Sequence, residues 1–136
     1  MSSLQEILNL NVVDNIIHYV EISNRLKDKN GDNLKFKIKP ISFEELNRLK
    51  RKATFIDKNG QAIIDEGKLN TLCIIESTLE PSFKDIKSME KLNINTPEQY
   101  LNKVLLAGEI ERLIKEILVI SGFMESIDEL VCDIKN

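Results

Sequence analysis

DKNGDNLKFKIKP, Asp28 to Pro40, is the stretch that separates an all-helical reading of this chain from a mixed one. From Leu34 to Lys39 apolar and basic residues alternate without error. Leu34, Phe36 and Ile38 point one way and Lys35, Lys37 and Lys39 the other, the period-two spacing of a half-buried strand. Asn30-Gly31 just upstream supplies the positive φ of a tight turn. Residues 17–27, IIHYVEISNRL, are rich in β-branched side chains and read as the partner strand. An antiparallel hairpin over about 17–39 is therefore expected, with one wet face of lysines. Lysine on an exposed strand also blocks edge-to-edge association.

Both flanks of the hairpin read as helical. Upstream, Ser3-Leu4-Gln5-Glu6 fits a capping box for a short first helix, and residues 9–15 read as a polar linker. Downstream, Pro40 ends the strand and Ser42 caps a helix, with Glu45 expected to return the bond and Ile41 to staple onto Leu46. Phe43, Leu46, Leu49 and Ala53 make a narrow apolar stripe, opposite Arg48, Arg51 and Lys52. A second DKNG, Asp57 to Gly60, reads as a turn. Asp65 caps the next helix, whose face holds Leu69, Leu72, Cys73, Glu76 and Leu79, widened by Ile74 and Ile75, so this helix is expected at the centre. Pro81 stops it, and Ser82 is read as the start of a short helix, FKDIKSMEKL.

Thr96-Pro97-Glu98-Gln99 combines an N-cap, Pro at the first helical position and a capping glutamine. Tyr100, Leu101, Val104, Leu105 and Ala107 share one side of the helix that follows, and Gly108 is the expected bend. Glu109 and Glu111 suit the positive end of a new helix, which buries Ile110, Leu113, Ile114, Ile117, Leu118 and Ile120. Gly122 is the expected left-handed stop, with Phe123 folding back on Leu118. A last short helix is expected after Ser126. The chain thus reads as α+β and mostly α: a small N-terminal antiparallel hairpin packed on a helical bundle. The expected organisation is one domain, 1–136, with the hairpin about 17–39, a helical part about 42–123 and a short acidic tail 124–136.

Composition limits the function. The 136 residues are 42% hydrophobic and 30% charged, ordinary values for a globular domain, with no Trp, so the core must be aliphatic. No apolar run reaches the ~20 residues of a membrane span, and the N-terminus lacks the basic start of a secretion signal, so a cytoplasmic location is expected. Cys73 and Cys132, far apart and in apolar contexts, read as reduced thiols. Between Arg25 and Lys58 eleven basic residues face five acidic ones, while the remainder carries eight against seventeen. Such a split marks either a nucleic-acid surface or a protein with complementary ends.

Chemistry-bearing motifs are scarce. His18, the single histidine, sits within the first strand and reads as a half-buried structural imidazole. Asp28, Asn30 and Asp32 imitate a calcium loop, but the glycine comes too early and Lys39 stands where the closing Glu belongs. No zinc spacing, phosphate loop or nucleophile elbow is present. No catalytic residue, metal ligand or cofactor is expected. Lys35, Lys37, Lys39, Arg48, Lys50, Arg51 and Lys52 could follow a phosphate backbone, which makes a small nucleic-acid-binding regulator the alternative reading. The aromatic platforms of single-strand binders do not accompany them, since Phe36 alternates away from the lysines. Leu106 falls opposite the face of Tyr100 and Val104, and Val119 lies amid Arg112, Lys115 and Glu116, about 180° from Ile110. With Phe123 at the helix end, these are the candidate partner-binding residues.

The order of these parts resembles the XkdN-like phage tail-assembly chaperones. SNRLKDKNGDNLKFKIKPIS, LNTLCIIESTLEPSFKD and TPEQYLNKVLLAGEIERLIKEILVISGF carry the resemblance, over about residues 17–123, most specifically in LLAGE and ISGF. It implies a non-enzymatic protein made in the bacterial host and absent from the finished virion. The implied partners are the tape measure protein and the tail tube protein. A second copy of the chain is a further candidate, and neither a membrane nor a nucleic-acid partner is expected. A small α-rich domain with spare apolar positions could cover a helical client's apolar stripe in a helix-in-groove mode.

Overall fold

The computed structural model describes residues 3–8 and 16–123. The linker read at 9–15, the helix after Ser126 and Cys132 lie outside the described residues. The chain starts with α1 (Ser3–Leu8), whose residues bury nothing. The hairpin follows as β1 (His18–Val20) and β2 (Phe36–Ile38), antiparallel with Val20 opposite Phe36 and His18 opposite Ile38. Alternation places β2 correctly: Phe36 and Ile38 are 1% and 0% exposed. The first strand is much shorter than 17–27, because the arm beyond Val20 leaves the ladder and rejoins it only at an isolated bridge, Lys27 to Asn33. His18 is exposed rather than half-buried, since β1 is an edge strand.

The loop at Asp28 is a turn built by one carboxylate. Asp28 Oδ1 accepts from the N–H of Asn30 (2.8 Å) and of Asp32 (3.1 Å), and Gly31 takes φ +84°. The Asp28 oxygen that a calcium loop would direct at an ion is here occupied by backbone donors. The same device recurs at the second DKNG: Asp57 Oδ1 accepts from Asn59 and Gln61, both at 2.9 Å, with Gly60 at φ +80°. This turn closes a hairpin that the sequence reading took for a turn alone: β3 (Thr54–Ile56) pairs antiparallel with β4 (Ala62–Ile64).

Between the two hairpins runs α2 (Phe43–Ala53). Ser42 Oγ accepts from the Glu45 N–H at 3.2 Å, but only this forward half of the capping box forms, and Glu45 Oε2 is buried without a partner. Leu49 and Ala53 are buried, whereas Phe43 is 81% exposed and so lies outside the apolar stripe. At the first helical position Phe43 stands about 60° of helix rotation from Leu46, toward solvent. After β4, Asp65 caps α3 (Glu66–Ser77) by accepting from Lys68 N–H. Leu69, Cys73, Ile74, Ile75 and Ser77 of α3 are all buried. It packs against α2 and against both later long helices, which makes it central as expected.

Helix α3 stops earlier than its apolar pattern. Thr78–Glu80 is β5, antiparallel to β2, so Leu79 belongs to a strand. Pro81 disfavours helical φ/ψ at Glu80, and β2 offers an open edge, so pairing wins over another helical turn. The sheet order is β1-β2-β5. Next, α4 (Ile86–Lys91) is capped by Asp85 rather than started by Ser82; Asp85 accepts from Lys87 N–H and Ser88 Oγ. In α5 (Pro97–Val104) Gln99 N–H donates to Thr96 Oγ1 at 3.2 Å, and Gln99 Oε1 accepts from Asn95 N–H at 2.9 Å. Last comes α6 (Ala107–Ile120), whose Leu113 and Ile117 are fully buried. The break between α5 and α6 falls at Leu105–Leu106, before Gly108, and Ala107 opens α6 as an exposed residue. Phe36, Ile38, Leu49, Ile74, Phe83, Leu101, Leu113 and Ile117 meet in one aliphatic-rich core. Phe83 and Tyr100 add an edge-to-face ring pair at 5.6 Å.

Candidate partner-binding surface

Leu106, Val119 and Phe123 all belong to α6 or its caps, but the fold does not gather them into one patch. Leu106 is the N-cap residue and is 59% exposed. Thirteen residues separate it from Val119, about 20 Å along a helix. Phe123 follows Gly122, which takes φ +90°. Phe123 N–H donates to Leu118 O (2.8 Å) and Gly122 N–H to Val119 O (3.0 Å), a Schellman stop that leaves Phe123 41% exposed. Val119 is half-buried, less open than its position amid charged neighbours suggests. Ser121 Oγ accepts from Ile41 N–H at 2.8 Å and so ties this end of α6 to the entry of α2.

The elbow at Leu106 is held by a charge the sequence reading assigned only to the helix dipole. Leu106 has no side-chain acceptor, so Glu109 caps from inside, its Oε1 accepting from Leu106 N–H at 2.7 Å. Glu109 is only 3% exposed, and Arg25 from the hairpin arm grips it with two bonds, Nε to Oε2 at 3.0 Å and Nη2 to Oε1 at 2.7 Å. The Arg25 hydrogen bonds lower the Glu109 pKa to about 2, against the opposing effect of burial; the Leu106 N–H and the Ser23 hydroxyl assist. Arg25 Nη2 also reaches Val104 O, and Arg112 donates to Ile22 O. The arm between β1 and the Asp28 turn is thereby locked onto the α5–α6 elbow. Leu26, Leu34, Phe36, Phe83, Tyr100 and Leu105 line an apolar cleft of about 150 Å³ beside that lock.

A further exposed apolar surface lies elsewhere. Every residue of the β3–β4 ribbon is exposed. Phe55 and Ile63 form a cross-strand pair on one face, at 49% and 39% exposure; Ile56 and Ile64 sit on the other at 66% and 37%. An isolated two-stranded ribbon is marginal in water, and here both faces carry exposed apolar side chains. The signal was available in TFIDKNGQAII, which repeats the turn residues of the first hairpin between β-branched flanks. Among the described residues no cluster of His, Cys, Asp and Glu could hold a metal ion, and no helix is long and apolar enough to cross a membrane. Cys73 is buried, and desolvation raises its thiol to about 11, the state of a packing residue rather than a nucleophile.

The family model of the phage XkdN-like tail assembly chaperone proteins matches residues 4–135. The chain belongs to this family. It is 30% identical over 122 residues to the phage-like element PBSX protein XkdN of Bacillus subtilis strain 168, covering 86% of this chain and 82% of that one. It is 27% identical to the protein YqbN of the same strain over the same length and coverage. The crystal structure of YqbN superposes with a TM-score of 0.66 at 24% identity, over 79% of this chain and 85% of that one, and shares the fold. For a tail assembly chaperone, a surface of wet apolar side chains on an otherwise well-packed domain is the feature that needs a use. The basic side around β2 and α2 is the weaker feature, because acids interleave with it. Lys37 pairs in register with Glu80. Glu76 bridges Arg48 at 3.0 Å and Lys84 at 3.2 Å. Burial pushes the Glu76 carboxyl up, but Lys84, Arg48 and Lys39 together outweigh it and hold the pKa below its usual value.

Proposed function

We propose that this tail assembly chaperone binds the phage's tape measure protein through the β3–β4 ribbon and helps to recruit tail tube subunits, without enzymatic activity. The observation that carries the reading is the ribbon itself, with Phe55, Ile56, Ile63 and Ile64 open to solvent on both faces. A tape measure protein is expected to be long and helical, with apolar stripes that need cover until the tube forms around it. Branched and aromatic side chains on a projecting ribbon can lie along such a stripe, and the contact buries apolar area on both partners. Leu106, Val119 and Phe123 supply further apolar contacts at the two ends of α6. Binding takes place in the host cytoplasm, and the chaperone leaves before the virion is complete.

The test is co-purification with the tape measure protein encoded in the same phage or prophage. Ile56→Asp with Ile63→Asp should leave the thermal midpoint nearly unchanged, since exposed substitutions stay within about 0.5 kcal/mol each. The same pair should abolish capture by placing charges in an apolar contact. Val119→Asp should weaken capture less. A folded double variant that still captures the tape measure protein fully would remove the ribbon from the binding surface.

A further inference from the structure

The β3–β4 ribbon has an unguarded edge as well as exposed faces. Asp65 N–H donates to Ala53 O (2.8 Å) and Asp57 N–H to Gln61 O (2.9 Å), one at each end of the ladder. Hydrogen-bonded pairs alternate along an antiparallel ladder, so Phe55 and Ile63, midway between these, turn their N–H and C=O groups toward each other. Ala62 and Ile64 therefore point theirs outward, and among the described residues no other element bonds to them. The outer edge of β3 is different. Thr54 N–H is spent on Arg51 O and its hydroxyl on Lys50 O, which leaves Ile56 as the one strand residue with both outward groups open. Sheet edges are ordinarily blunted by charge, proline or a bulge. Strand β5 ends in Glu80 and is followed by Pro81. Residues 62–64 read Ala-Ile-Ile in unbroken register and carry none of these guards.

An edge that offers residues 62 and 64 around a central 63 is complementary to itself. A second copy set antiparallel, with Ile63 opposite Ile63, brings Ala62 opposite Ile64 twice. Each of these pairs exchanges two main-chain bonds, so every outward group of β4 finds a partner. The two-fold axis closes the assembly at two copies, because the edge of β3 offers too little to continue it. Phe55 and Ile63 then join Ile63 and Phe55 of the second copy in one apolar row on the same face. That row crosses four strands, about 14 Å at ~4.8 Å per spacing, enough to underlie a helix about 10–12 Å across.

We infer that two copies of the chain pair through the outer edges of β4, antiparallel about Ile63, into a four-stranded sheet. The interface is small, so the dimer is reversible and depends on concentration. The pairing goes beyond the client reading and does not depend on it: the edge makes the dimer, and the faces stay open to a client.

Sedimentation of the whole chain over a concentration series tests this, together with cross-linking. The native chain should pass from monomer to dimer and stop there. Ala62→Pro removes an outward donor and leaves the ladder to β3 intact, so it should weaken association at least about tenfold. In a Cys132→Ser background, with Cys73 buried, Ile63→Cys should form a disulfide between molecules under mild oxidation. Residues opposite each other in a non-hydrogen-bonded pair stand about 4.5 Å apart at Cα, within the roughly 4.4–6.8 Å reach of a disulfide. Phe55→Cys shares the face but lies three strand spacings from its copy, and its yield should be at least about tenfold lower. Equal yields at 55 and 63, monomer at every concentration, assemblies that grow past two copies, or association untouched by Ala62→Pro would each overturn the inference. Ala62→Pro keeps Phe55, Ile56, Ile63 and Ile64, so tape measure capture by this variant reads the client surface separately.

Discussion

Glu109 shows how one buried side chain can decide where two helices part. Leu105 and Leu106 leave helical φ/ψ, and α6 restarts with Glu109 accepting from the Leu106 N–H. Gly108 was the more visible signal for a bend, yet it lies inside α6 as an ordinary helical residue. Backbone freedom points to Gly108, whereas the break is set by a carboxylate whose partner, Arg25, is 84 positions away. Local pattern cannot show such a pairing. Its pH signature follows from a folded pKa of about 2. A carboxylate depressed below its unfolded value, about 4.3 for Glu, stabilises fully above that value and loses the contribution as pH falls toward the folded pKa. Glu109→Gln should therefore be less stable than the native chain at neutral pH. The gap in thermal midpoint should narrow as pH falls from about 4.5 to about 2. A gap that stays constant across that window would mean that Glu109 acts through shape rather than charge.

At the scale of elements, patterns of period and cap were legible and competition between elements was not. Phe36 and Ile38 are buried as their alternation required, and Ser42, Asp65 and Thr96 cap as their positions required. Leu79 was misplaced because helix periodicity ran on past the point where Pro81 and the free edge of β2 favour a strand. The ribbon was missed because each of its strands is three residues long, shorter than the runs that period alone can identify. The same brevity makes it a separate opening unit. Asp57 holds the turn with two backbone bonds, and Asp65 N–H to Ala53 O (2.8 Å) closes the base. Asp57→Ala should cost about 0.5–1.5 kcal/mol of local stability, the net worth of a typical hydrogen bond. Amide exchange within β3–β4 should accelerate about tenfold for ~1.4 kcal/mol, while the buried amides of α3 keep their rates. Equal acceleration in α3 would show that ribbon and core open together.

At the scale of the molecule, the two halves of the charge asymmetry answer one another. The basic stretch between Arg25 and Lys58 faces acids from later in the chain: Glu109 on Arg25, Glu76 on Arg48, and Glu80 opposite Lys37. Lys37 and Arg48, two of the charges that looked available for phosphate, are in this way engaged or shielded. Those left open, Lys35 on the hairpin side and Lys50, Arg51 and Lys52 on α2, are divided between two elements. Phe36, the aromatic within the lysine strand, is buried and cannot stack on a base. Phosphate contacts without base contacts give binding that is weak, indifferent to sequence and lost as counterion release loses its drive. Titration with single- and double-stranded oligonucleotides should show binding only near ~50 mM salt and none by ~200 mM. Lys50→Glu with Arg51→Glu should remove what remains at low salt while the thermal midpoint holds. Tight, sequence-selective binding at the higher salt would make a nucleic-acid regulator the better account of the basic surface.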